Sequence, residues 1–241
     1  MTRPTSAADS GPTVALVHGA FADSAGWNDV IAQLLGEGVP AVAVSNPLRG
    51  IAHDAAYVAS ALGQIPGSVL AVGHSYGGAV LTNAALRAGN VLGLVYVAAF
   101  APDEGEALRD IEADSKDSVL NSALVPLQYP TGEGDVTETE FAINAEKFHD
   151  ALAADVSPEQ ARIMAATQRP ISALGFSQRT RSPAWRSLPS WAVIPTGDVL
   201  RRMAERTGAT IVEADGSHVI MISQPKIVTD VVRQALRKVT R

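Results

Sequence analysis

Short apolar runs alternate with longer stretches of helical periodicity along most of this chain. Runs rich in Val, Ala and Leu at 13–18, 41–45, 69–73, 93–98, 190–195 and 210–213 read as strands buried on both faces, the pattern of a parallel sheet. Between and after them, residues 26–37, 52–62, 76–88, 200–206 and 224–239 repeat apolar positions at helical spacing. In the last of these Ile227, Val228, Val231, Val232, Ala235 and Leu236 form one core-facing stripe. The alternation predicts an α/β fold: a mostly parallel six-stranded sheet flanked by helices. It breaks once. Residues 101–188 carry no clean strand pattern, only breakers and helical patterns at 140–153 and 158–167, the latter opened by Ser157-Pro158-Glu159-Gln160. This stretch is expected to be a mainly helical cap inserted after the fourth strand, at the carboxyl edge where open α/β sheets keep their sites. Residues 13–241 are then a single domain, and residues 1–12 a flexible tail of small and polar residues.

At the third strand the pattern carries chemistry. The run Val69-Leu70-Ala71-Val72 leads into Gly73-His74-Ser75-Tyr76-Gly77-Gly78 and then directly into a helical pattern. Gly-x-Ser-x-Gly between a strand and a helix is a nucleophile elbow, a tight turn that exposes a serine hydroxyl beside the first amides of the helix. The flanking glycines leave room where the turn crowds the backbone. In a chain with 20 glycines the bare motif arises easily, so the strand before it and the helix after it carry the assignment.

A serine needs a base, an acid and an oxyanion site, which in this topology follow in fixed chain order. His218 stands in the loop after the sixth strand pattern, where the base is expected. A neutral imidazole, with an ordinary pKa near ~6.5, takes the serine proton and returns it to the leaving group. His18, His53, His74 and His149 stand at a strand end, before a helix, inside the elbow and in the cap. Of these His149 either lines the pocket or is solvated. Asp198 follows the fifth strand pattern and is the expected acid, with helix capping as its alternative role. Asp103, beyond the fourth, is held in reserve, and Asp215 is too close to His218 along the chain. The backbone N–H groups of Ala20, in His18-Gly19-Ala20-Phe21, and of Tyr76 are the oxyanion candidates.

Composition narrows the function further. The net charge of −6 gives no footprint for nucleic acid, and residues 101–188 hold fifteen Asp and Glu against eight Lys and Arg. That imbalance disfavours strongly anionic substrates. With no cysteine there is neither a disulfide framework nor a thiolate site, and the glycines at 73–78 lack the lysine of a phosphate-binding loop. No cofactor and no metal are therefore expected. The start of the chain lacks the apolar core of a secretory signal, and no run approaches the about eighteen apolar residues of a membrane span. A cytoplasmic protein with no membrane partner is the expectation, monomer and homodimer both being open.

On these residues the chain resembles the α/β-hydrolase-fold serine hydrolases, and more narrowly a bacterial esterase-like group related to plant methylesterases and hydroxynitrile lyases. The resemblance rests on Leu16-Val17-His18-Gly19-Ala20-Phe21 with Trp27, Gly73-His74-Ser75-Tyr76-Gly77-Gly78, Val97-Ala98-Ala99-Phe100-Ala101-Pro102-Asp103-Glu104-Gly105 and Gly216-Ser217-His218. In the cap, Phe148-His149-Asp150 and Gln168-Arg169-Pro170-Ile171 are also similar. It implies a triad of Ser75, His218 and Asp198, with the amides of Ala20 and Tyr76 as oxyanion donors. The segment from Asp198 to His218 is shorter than in most relatives. The implied substrate is a small apolar or aromatic carboxylic ester or lactone, cleaved through an acyl-enzyme. Leu108, Ile111, Leu124, Leu127, Phe141, Phe148 and Met164 are candidates either for the pocket wall or for cap core. Hydroxynitrile lyase chemistry is an alternative, although Val219 stands where the lyases carry lysine. The other is a non-catalytic small-molecule binder on the same scaffold.

Overall fold

The computed structural model describes residues 11–113, 119–196 and 200–240, so most of the expected tail, and Asp198, lie outside the described residues. In chain order the first half comprises β1 (Thr13–Val17), a 3₁₀ turn (Ser24–Trp27), α1 (Asn28–Gly36), β2 (Ala41–Val44), α2 (Ile51–Gly63), β3 (Val69–His74), α3 (Tyr76–Ala88) and β4 (Val91–Val97). The stretch after β4 carries α4 (Leu108–Ala113), α5 (Leu120–Ala123), β5 (Leu124–Pro130), β6 (Thr137–Ile143), α6 (Phe148–Leu152), α7 (Pro158–Thr167), β7 (Ile171–Ser172), α8 (Ala173–Ser177) and a 3₁₀ turn (Ala184–Arg186). The chain then returns through β8 (Ser190–Pro195), α9 (Arg201–Arg206), β9 (Thr210–Ala214), α10 (Ile220–Ser223) and α11 (Pro225–Val239).

The main sheet has six strands in the order β2-β1-β3-β4-β8-β9, and every pairing is parallel. Its central strand β3 is buried at every position, as its unbroken apolar run demands. Because β3 lies between β1 and β4, the loops leaving the carboxyl ends of all three gather at one place. Helix α11 turns Val228, Val231, Val232 and Ala235 into the core, with Ile227 and Leu236 packed against it. Among the described residues no helix is long and apolar enough to cross a membrane.

The inserted stretch departs from expectation. It holds a three-stranded antiparallel sheet, β5-β6-β7, as well as helices. The helix expected over 140–153 is replaced by the end of β6 and the short α6. Pro126 and Pro130 argue against a strand, but β5 lies at the sheet edge, where a missing N–H leaves no ladder bond unmade. Helix α7 begins as its sequence signals: Ser157 caps it by accepting from the Gln160 N–H, and Pro158 takes the first turn.

Candidate active site

Ser75 joins β3 to α3 with φ 53° and ψ −124°, a conformation a residue with a side chain holds only where its surroundings enforce it. The enforcement is local. The Ser75 N–H donates to the Val97 carbonyl, while its own carbonyl accepts from the N–H groups of Gly78 and Phe100. At Gly77 an added Cβ would stand 2.5 Å from the Val17 carbonyl oxygen and 2.8 Å from that of His18. At Gly19 it would stand 2.7 Å from the Ser75 Cβ. The loop after β1 therefore lies directly against the elbow, which requires glycine on both sides of the contact.

His218 Nε2 lies 2.8 Å from Ser75 Oγ, so the structure brings these two candidates within hydrogen-bond reach across 143 positions of chain. The hydroxyl donates and the ring nitrogen accepts when the imidazole is neutral. Ser75 itself is 7% exposed. The Tyr76 N–H belongs to the first turn of α3, where no intrahelical acceptor exists. Ala20, one residue past the Gly19 contact, has an N–H that makes no hydrogen bond among the described residues. The reserve acid Asp103 is engaged elsewhere, with Arg186 and the Glu104 N–H. Asp215 accepts from the Thr196 hydroxyl.

Two groups that position His218 were not anticipated. His74 is fully buried, and its Nε2–H donates to the His218 carbonyl at 2.9 Å. Complete burial, helped by the neighbouring His218 ring, pushes the His74 pKa down to about 3, so it is a neutral donor rather than a cation. From the inserted stretch, Asp155 accepts the Ser217 N–H at 2.7 Å and the Ser217 hydroxyl as well. Burial raises the Asp155 pKa, but hydrogen bonding to the carboxylate, with Ser217 the largest contributor, outweighs it and holds the carboxyl below its usual range. His218 is thus gripped from the sheet through its own carbonyl and from the insertion through its neighbour. His74 was at least visible inside the motif, whereas Asp155 carries no sequence signal.

The remaining histidines have structural partners. His18 accepts the Asn46 N–H at Nε2 and donates from Nδ1 to the Gly19 carbonyl; burial lowers its pKa. His53 contacts Asp54, and His149 bonds the Val156 carbonyl at 3.1 Å within the insertion. Beneath the elbow the Tyr76 hydroxyl donates to buried Asp54 at 2.7 Å, and the same carboxyl group accepts from the N–H groups of Arg49 and Gly50. Of the apolar cap residues, Leu108 and Phe148 are core, and Leu127 is exposed. Met164 lines a cavity of about 250 Å³ together with Phe21, Ile163, Val219, Met221 and Ile222. Phe21 follows the candidate oxyanion donor Ala20 and Val219 follows the candidate base His218, so that cavity is lined by the chain neighbours of both.

Residues 14–231 match the model of the Alpha/beta hydrolase family. The chain belongs to this family. Among solved structures, this hydrolase is similar to polyneuridine aldehyde esterase, with 19% identity, 96% of this chain and 100% of that one covered, and a TM-score of 0.76. A tomato methylketone synthase I with bound 2-tridecanone shares 17% identity, covers 95% of this chain and 98% of its own, and has a TM-score of 0.76. A pyrethroid hydrolase from Sphingobium faniae shares 18%, with 94% and 97% covered and a TM-score of 0.74. At these identities the likeness concerns the fold. Comparison with curated proteins finds no match.

Proposed function

We propose that this α/β-hydrolase cleaves small apolar or aromatic carboxylic esters or lactones through an acyl-enzyme on Ser75. The observation that carries the proposal is the 2.8 Å approach of His218 Nε2 to Ser75 Oγ on a constrained elbow. Two of the similar structures are of proteins called an esterase and a pyrethroid hydrolase, which fits an ester substrate.

In the proposed reaction Ser75 Oγ attacks the ester carbonyl carbon as its proton passes to His218 Nε2. The carbonyl oxygen gains negative charge, and the N–H groups of Ala20 and Tyr76 are the proposed donors to it. Collapse of the tetrahedral species breaks the C–O bond, and His218 returns the proton to the departing alcohol. Water then attacks the acyl-Ser75 carbonyl, giving up a proton to His218, and the acid leaves as Ser75 regains its hydrogen. Asp198 is the proposed partner of His218 Nδ1. In the chain it follows β8 by three residues, and His218 follows β9, which pairs with β8, by four. Its role would be to fix the tautomer and stabilise the imidazolium.

The test combines fluorophosphonate labelling with turnover of a panel of aryl esters and lactones. Labelling should map to Ser75, and Ser75→Ala should lower kcat by at least about 10³-fold without changing the circular dichroism spectrum. Full activity in that variant would overturn the assignment. The rate should also fall on acidification from about pH 8 to 5 as the imidazole protonates.

A further inference from the structure

A second cavity, of about 540 Å³, lies away from Ser75 between α2, α3 and the segment that leaves the insertion. We propose that it is a binding site for an amphipathic organic anion, a short apolar body carrying a carboxylate or a comparable single negative head. Its volume falls in the range of small-molecule pockets, roughly 300–1,000 Å³. Along α3, Asn83 to Arg87 lie eight to twelve residues beyond Ser75, about 12–18 Å down the helix axis, so this site is separate from the elbow.

The lining divides by chemistry. Ile51, Ala52, Ala55 and Leu86 supply apolar surface, and Leu86 is 48% exposed despite its size. Arg87, Arg179 and Arg181 are the charged residues of the lining, and no acidic residue lines the cavity. Arg179 is engaged outside the lining, with the Gly105 carbonyl through one terminal nitrogen and with Asp110 at 3.4 Å through the other, which leaves Arg87 and Arg181 to meet an anion. Arg87 and Arg181 have no ion-pair partner among the described residues. Their clustering runs against the net charge of −6 of the whole chain. Like charges gathered around a concave surface repel one another, and an anion seated between them relieves that repulsion. Guanidinium also suits a planar carboxylate or a tetrahedral head equally well, because its fork donates two parallel N–H bonds.

The walls are preformed. Asn83 donates to the Thr180 hydroxyl at 3.2 Å and accepts the Arg181 N–H at 3.1 Å, pinning the 179–181 segment to α3. Gln178 Oε1 accepts the Ala52 N–H at 2.9 Å and pins the same segment to the start of α2. Thr180 N–H also donates to the Glu106 carbonyl. A ligand therefore meets fixed backbone and does not have to organise a loop, which favours affinity.

The test is isothermal titration of the full-length protein with octanoate, 1-octanol and inorganic phosphate. Octanoate is expected to bind saturably and at least about tenfold more tightly than either of the others, since only it offers both charge and apolar body. The paired variant Arg87→Gln/Arg181→Gln should weaken octanoate at least about tenfold with an unchanged melting temperature. Arg87→Lys/Arg181→Lys should retain part of the affinity, and Ser75→Ala all of it. Three outcomes would each overturn the proposal: no saturable octanoate binding, equal binding of octanol or phosphate, or octanoate binding indifferent to the arginine substitutions. The last would locate the ligand elsewhere, such as beside Ser75, and leaves the hydrolase proposal untouched.

Discussion

At Ser75 the backbone sits at φ 53° and ψ −124°, and that geometry has a consequence for stability as well as for reactivity. A residue held in so sparsely populated a region stores about 1–3 kcal/mol of strain, which glycine would release at an entropic cost of about 0.5–1 kcal/mol. Ser75→Gly should therefore be more stable than Ser75→Ala by roughly 1 kcal/mol in urea unfolding, both being inactive. A less stable glycine variant would show that the elbow is unstrained. His74 makes a second prediction. Replacing it with Phe keeps a ring against Trp27 but deletes the donor to the His218 carbonyl. Loss of that hold should lower kcat by up to about 10²-fold with little change in KM. Unchanged kcat would make the bond incidental to turnover. Ser75 was legible in the sequence because its motif is local: the glycines, the strand and the helix are neighbours in the chain. The role of His74 was not, because its partner lies 144 positions away and the bond is to a backbone atom, which no residue type announces.

At the scale of elements, the contact between the start of α3 and the end of β1 sets how close the loop carrying Ala20 comes to Ser75. Gly77→Ala would drive a Cβ to 2.5 Å from the Val17 carbonyl, and backbone cannot yield as a side chain does. A loss of at least about 1–3 kcal/mol is expected by thermal or urea unfolding. The grip of Asp155 on Ser217 is a second joint between elements. Asp155→Ala should raise amide exchange over residues 215–220 and lower kcat by about tenfold, and unaltered exchange would show that the loop holds itself. Since the folded pKa of Asp155 lies below its ordinary value, the grip is complete above the carboxylate range and weakens as pH falls through the lowered pKa. The sheet strands were readable from sequence since burial on both faces leaves unbroken apolar runs. The strands of the insertion were hidden for the opposite reason. Thr137 to Glu140 offers four polar residues in succession, and β5 carries two prolines, so neither shows an apolar alternation.

For the molecule as a whole, two buried neutral histidines shape acid stability. The unfolded chain binds a proton on His74 as pH drops below about 6.5, whereas the folded chain withholds it until about pH 3. Within that window the unfolded state holds more protons, so stability falls with falling pH, by up to about 1.4 kcal/mol per unit from this one group. His18, lowered by burial, acts in the same direction. Urea midpoints measured between pH 7 and 5 should decline in the wild type and decline less in His74→Phe; parallel slopes would mean His74 is not the source. Chain order made the global plan legible, from the alternation of elements to the arrival of a histidine after the last strand. What composition could not convey was that the inserted stretch does more than cover the sheet. Because a carboxylate from that stretch grips the residue beside the proposed proton carrier, the two cannot be exchanged independently. Grafting a foreign roof onto this scaffold to change its preferences would loosen the imidazole unless the graft brings its own acidic anchor to Ser217.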